Sequence, residues 1–169
     1  LLRMEDVAMR VRNVVFQGTE ARSETGILVD GFRPLQGLVD LCQFNGLGVG
    51  IDIGGELPVI RRCAFGNIPA AFGDPPMPGA GIVIRANPDI ETTEGSIGDA
   101  ANPEEGWNDF LLTIEGFAVI NERDEAIKMQ SNYWGAEDEE GAATRVQGAS
   151  VQVPILTESS AILAASVFC

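Results

Sequence analysis

Histidine is absent from the 169 residues, and lysine and tyrosine occur once each, as Lys128 and Tyr133. Without an imidazole there is no Ser-His-Asp or Cys-His catalysis and no His-ligated zinc. Basic residues are scarce as a class. Only 11 Lys+Arg stand against 25 Asp+Glu, for a formal net charge of −14. So acidic a chain lacks the basic footprint of a nucleic-acid binder and the polybasic face that holds a protein on an anionic bilayer. No run approaches the roughly 20 apolar residues of a membrane span, so no membrane insertion is expected. The three cysteines, Cys42, Cys63 and Cys169, fit no metal spacing and are too few for a disulfide scaffold. In the opening LLRMEDVAMR, Glu5 and Asp6 interrupt any signal-peptide core and no initiator Met is present. The sequence is therefore read as a mature product or an excised piece.

What the chain does have is apolar residues in short bursts. At 45% hydrophobic it is too apolar for a disordered acidic tail, and 20 glycines and 9 prolines break it too often for long helices. The bursts repeat. VRNVVFQG (11–18), VDLCQFNG (39–46), IRRCAFGN (60–67) and IEGFAVIN (114–121) share an opening aliphatic, an apolar residue three later (Val14, Cys42, Cys63, Phe117), another two after that (Phe16, Phe44, Phe65, Val119), and then Gly or Asn. A second strand-like burst follows each: GILVDG, GIDIGG, GIVIRAN and AIKMQSN, with apolar residues alternating at Ile27/Val29, Ile51/Ile53, Ile82/Ile84 and Ile127/Met129. Alternation of period two places those residues on one face of a strand.

A strand–turn–strand unit of this size cannot bury its apolar face alone, and stacking such units in register builds a continuous core. Phe16, Phe44, Phe65 and Val119 stand 28, 21 and 54 residues apart. The first two intervals are single turns of a solenoid. The third is read as one turn carrying a long insertion rather than as two turns, because 86–109 holds little strand-like sequence. Two loop insertions are therefore expected, at about 68–80 and 86–109. A two-sheet sandwich also accommodates short strands with frequent turns, but in-phase ladders argue for stacking.

The "I-x-x-C-x-F-x-N … G-I-x-I" pattern resembles the right-handed parallel β-helix repeat of the pectate-lyase-like superfamily. The ending SNYWGA (131–136), an acidic loop and VQGASVQVPIL (146–156) resembles the "NxWG … G-x-V-x-x-x-P-x-L" close of many secreted and cell-surface β-helices. The resemblance implies an all-β fold, a right-handed single-stranded parallel β-helix over residues 1–156, followed by an apolar C-terminal tail at 157–169. It implies a secreted or cell-surface location. It implies no activity, because the superfamily's catalytic patterns are missing. There are no adjacent aspartates with a Gly-His-Gly, no completed Arg-x-Pro-x-x-Arg around Arg33-Pro34, and no Asp-Pro-His-Glu.

Several residues stand out as candidates. Arg61 and Arg62, mid-strand beside Cys63, have the chemistry to bind uronate or sialate carboxylates, or else to pair with a neighbour such as Asp40. Trp107 offers a flat apolar face for a sugar ring, or a pin for its loop. Asp89, Glu91 and Asp99 lie in an acidic stretch (86–122) devoid of Lys and Arg; such hard carboxylates suit calcium, or simply form a solvated, self-repelling loop. No other cofactor is implied. Cys42 and Cys63, in one register on adjacent turns, are close enough for a disulfide and are read as reduced, inert thiols. Tyr133 and Trp134 follow the last inner strand and are expected to cover the end of the core.

Two functions compete. One is a non-catalytic structural or recognition protein, with a saccharide or another chain as partner. The other is a polysaccharide-acting lyase or hydrolase using outer-face carboxylates, drawn from Asp40, Asp52 and Glu115. The N-terminal turn has no evident cover, so that open end is expected to be covered by another copy or another chain, by missing sequence, or by the apolar 160–169 tail folding back.

Overall fold

The computed structural model describes residues 1–5, 10–30, 37–90, 95–102, 105–111, 113–136, 138–152 and 154–156. The 157–169 tail lies outside them, as do Glu91 and Cys169. Strands dominate and the described helix is one short segment, Glu139–Thr144, so the chain is all-β.

The long-range strand pairing is parallel throughout and falls into three main sheets and one further parallel pair, Ile127–Lys128 with Ser150–Val151. A wide sheet holds Leu2–Glu5, Thr25–Asp30, Val49–Ile53, Ala80–Ile84, Phe117–Asn121 and Val146–Gln147, in that spatial order. A second sheet holds Arg10–Arg12, Leu38–Asp40 and Val59–Arg61, and a third holds Val15–Gln17, Gln43–Asn45, Ala64–Gly66 and Asp109–Phe110. The chain visits wide, second and third sheets in turn and then returns to the wide one, so each circuit lies on the one before.

Alternation explains why these segments are strands and which face turns in. In the wide sheet Ile27, Ile51, Ile82 and Val119 occupy one register position, and all are buried. Val11, Val39 and Ile60 do the same in the second sheet. The third sheet contributes a column of rings. Phe16, Phe44, Phe65, Phe110 and Trp134 stack face to face, with successive centroids 4.9, 4.8, 5.0 and 4.8 Å apart. That spacing is the distance between neighbouring strands, so the sheet itself sets the ring contact. The glycine before each inward Ile makes room for it. A Cβ on Gly50 would stand 2.4 Å from the Gly81 carbonyl oxygen and 3.0 Å from the Phe65 ring, and Gly26 and Gly81 face Phe44 and Phe110 likewise.

The Phe16–Phe44–Phe65 ladder is as the repeat predicts, but the fourth rung is not Val119. Phe110 fills it, and Trp134 is the fifth. The 54-residue interval therefore contains an additional circuit, and the expected 86–109 insertion is a correction to make. Ile60 donates its N–H to the Ser96 carbonyl, Ile97 is fully buried, Gly98 bridges to Met129, and Asp109–Phe110 pairs with Ala64–Gly66. FAVIN (117–121) belongs to the wide sheet, and Ile127–Lys128 pairs with Ser150–Val151 outside it. The other insertion is shorter than 68–80. Ile68 is in the core and Ala80 opens a wide-sheet strand, leaving an antiparallel hairpin, Ala71–Phe72 with Met77–Pro78, to project.

Candidate functional site

Between the second and third sheets each circuit turns through one residue in the left-handed region. These are Asn13, Leu41, Arg62, Trp107 and Ser131, with φ of 56, 55, 52, 62 and 57°. None is glycine, and the conformation costs roughly 1 kcal/mol or more per residue. Backbone hydrogen bonds to the next circuit hold it. Asn13 N–H donates to Asp40 O, Leu41 to Arg61 O, Arg62 to Gly106 O, Trp107 to Ser131 O, and Ser131 to Pro154 O. The turn carries the chain from an outward strand position to an inward one.

The inward position just after it is filled by Cys42, Cys63, Asn108 and Asn132, all buried. Asn108 accepts the Cys63 N–H on Oδ1, and its Nδ2 donates to Ile60 O and Ile97 O at 2.8 Å each. Asn132 does the same one circuit on, donating to Ile97 O and Met129 O. The cysteines are free thiols doing a weaker version of this work. Cys42 Sγ–H points to Asp40 O and Val11 O, and Cys63 Sγ–H to Arg61 O and Val39 O. The neighbouring Cys63 thiol lowers the Cys42 pKa, while burial raises that of Cys63.

Outside the turn lies a charge cluster. Register places Arg12, Asp40 and Arg61 opposite one another on three successive circuits, and alternation turns all three away from Val11, Val39 and Ile60. Arg62 reaches in from the turn. Its Nε donates to Asp40 Oδ1 at 2.7 Å and its Nη2 to Oδ2 at 2.5 Å. Arg12 Nε stands 3.2 Å from Oδ2 and Arg61 Nε 3.5 Å from Oδ1. The Asp40 side chain is 1% exposed, whereas Arg61 and Arg62 keep 26% of theirs in solvent and Arg12 keeps 60%. A carboxylate buried so completely needs cationic partners. Three guanidiniums around one carboxylate leave a formal surplus of two positive charges. They also bring about fifteen N–H donors to roughly four acceptor positions. The buried Arg61 Nε makes no hydrogen bond at all.

Arg61 and Arg62 are thereby brought together at Asp40, with Trp107 one circuit further on. The Arg62 N–H bonds to Gly106 O, so half-buried Trp107 is the next residue up the same outer column. Sequence reasoning named these three but missed Arg12. The period-two spacing of Arg10-Val11-Arg12 marked it as outward-facing beside Asp40.

The other candidates fare differently. Asp99 is turned to Lys128, 2.8 Å away, whose ammonium holds the Asp99 carboxyl below its ordinary range. Asp89 is exposed, and Glu91 lies outside the described residues. Among the described residues no three His, Cys, Asp or Glu converge to hold a metal ion. Tyr133 does not end its sheet: it bridges to Asp109 on one side and Leu156 on the other. Trp134 is the last ring of the stack, fully buried in one core cluster with Ala142 and Ile155.

The outer-face carboxylates are also engaged. Asp52 takes a two-pronged bond from Arg85 at 2.9 and 3.0 Å, Arg85 reaches Glu122 at 3.1 Å, and Glu115 faces Arg22 at 3.9 Å. The Asp52 hydrogen bonds raise the Arg85 pKa. Compared with protein-family models, with curated proteins and with solved structures, the chain matches none.

Proposed function

We propose that this chain is a right-handed single-stranded parallel β-helix, akin to the pectate-lyase-like superfamily in repeat. We propose that it serves, without catalysis, as a secreted or cell-surface recognition module for carboxylated saccharide. Three parallel sheets visited in rotation, with a ring ladder rising through five circuits, support the fold reading. The observation that carries the recognition reading is the Asp40 cluster. In a chain of net charge −14, three arginines gather at one outer turn around a single buried carboxylate, and a tryptophan stands one circuit away. Guanidinium forks match carboxylates in geometry, and an indole face suits the apolar face of a pyranose. Asp40 fixes the forks in place, so little side-chain entropy remains to be lost on binding. The carboxylates available for acid–base work, Asp40 and Asp52, are instead held by arginines, which favours a binding role over a hydrolytic one.

A glycan and polyuronate array tests this, run with and without calcium. Retention on polyuronates, weakened by salt and by Arg61→Gln or Trp107→Ala, is expected. Absence of retention, or retention indifferent to both substitutions, rejects the site.

A further inference from the structure

In the inward column two thiols, Cys42 and Cys63, are followed by two carboxamides, Asn108 and Asn132. The register around the thiols is one to one: Asp40 lies opposite Arg61, and Gln43 opposite Ala64. Cys42 and Cys63 are therefore direct neighbours on adjacent circuits, and the Ala64 N–H donates to Cys42 O at 2.9 Å. Both are fully buried and both are free thiols. Neighbouring strands stand about 4.8 Å apart, inside the span of roughly 4.4–6.8 Å between Cα atoms that a disulfide bridges.

As hydrogen-bonding groups the thiols are poor substitutes for the amides. Cys63 Sγ stands 3.2 and 3.7 Å from Arg61 O and Val39 O, whereas Asn108 Nδ2 meets its two carbonyls at 2.8 Å. What two adjacent thiols have, and two amides lack, is the capacity to join. The two are also unequal. The neighbouring Cys63 thiol lowers the Cys42 pKa while burial raises that of Cys63, so Cys42 forms the thiolate more readily and attacks first.

We propose that Cys42 and Cys63 are a modification site, closed by a peroxide into a crosslink between the second and third circuits. The Cys42 sulfur attacks one peroxide oxygen, the O–O bond breaks, and Cys42 becomes a sulfenic acid as water leaves. The Cys63 sulfur then attacks the Cys42 sulfur, the S–O bond breaks, and a second water leaves. Two thiols thus give up two electrons and two protons, and one hydrogen peroxide becomes two waters. Both sulfurs are shut off from solvent, so closure waits on local opening of the stack. The link ties the segment after Asp40 to the turn that holds Arg62, whether or not that cluster binds saccharide.

Mass spectrometry on the folded full chain tests the proposal, with Cys169→Ser removing the third thiol. Hydrogen peroxide should lower the intact mass by two hydrogens, and dithiothreitol should restore it. Non-reducing digestion should give one crosslinked peptide pair, holding Cys42 and Cys63. Cys42→Ser and Cys63→Ser, each verified as folded by thermal melting, should each abolish the pair. Two thiols still open to alkylation after peroxide overturn the proposal. So does Cys42 oxidised without a link, or a link that forms only in the urea-unfolded chain.

Discussion

Phe65 lies flat against Phe110, centroids 5.0 Å apart and planes 9° from parallel, although 45 residues separate them in sequence. One contact thus closes a long excursion and returns the chain to register.

Removing either ring should be costly. Phe44→Ala and Phe110→Ala each take a fully buried ring from between two others, and a loss of about 3–5 kcal/mol is expected for each. Urea denaturation provides the check. A Phe110→Ala variant as stable as the parent would contradict the five-ring register.

The asparagine column should be as sensitive as the rings. Asn108→Ala strands the Cys63 N–H and two carbonyl groups in the core. Buried groups left unsatisfied cost about 1–3 kcal/mol each, so a loss of about 2–4 kcal/mol is expected once partial relaxation is allowed for. Asn108→Asp replaces the two amide donors with acceptors and should be no better tolerated. Thermal melts of both variants settle the point.

The Asp40 cluster predicts an asymmetry. Asp40→Ala removes the common acceptor from three arginines and should destabilise by about 3 kcal/mol, in the range for breaking a buried ion pair. Arg12→Gln leaves Arg61 and Arg62 on Asp40 and removes a largely exposed partner, for about 1 kcal/mol or less. Equal losses in chemical denaturation would show that the carboxylate is not the organising group.

Lys128 and Asp99 give a pH test. The Lys128 hydrogen bond lowers the Asp99 carboxyl pKa. A carboxyl depressed in the folded state stabilises it above the unfolded pKa, near 4, and that contribution is lost as pH falls through the folded value. Lys128→Met should therefore raise the Asp99 midpoint toward its ordinary value, read directly from the carboxyl carbon resonance during an acid titration. An unmoved midpoint would mean that the pair is not formed in solution.

The early circuits were legible because each fits its strands and turn into one unbroken motif. Ile60 to Phe65 spans 5 residues, and the same spacing joins Val11 to Phe16 and Val39 to Phe44. The fourth circuit inserts chain inside that motif. Ile97 and Phe110 are 13 residues apart, so the unit no longer resembles its neighbours. FAVIN stood in for it because its apolar spacing imitates the turn unit, and because Ala118 replaces the glycine that marks three other wide-sheet strands as Gly26, Gly50 and Gly81. A usable signal did exist in NDF and NYW, where asparagine stands two residues before an aromatic just as cysteine does in CQF and CAF. Reading thiol and carboxamide as one class, both short donors to turn carbonyls, would have found it. The left-handed turns left no such mark, since stacking hydrogen bonds, not glycine, hold them.

That last feature bears on how such a surface changes over time. Asn13, Leu41, Arg62, Trp107 and Ser131 all occupy the same strained turn position on successive circuits, exposed at Asn13 and buried at Ser131. The strain is set by the backbone and relieved by bonds between main chains, so it is largely indifferent to which side chain is attached. Selection can rewrite this column one rung at a time, exchanging charge for ring or hydroxyl, while the interior that supports it stays untouched. The outer face can then diversify along an ordered row of positions without disturbing the core beneath it.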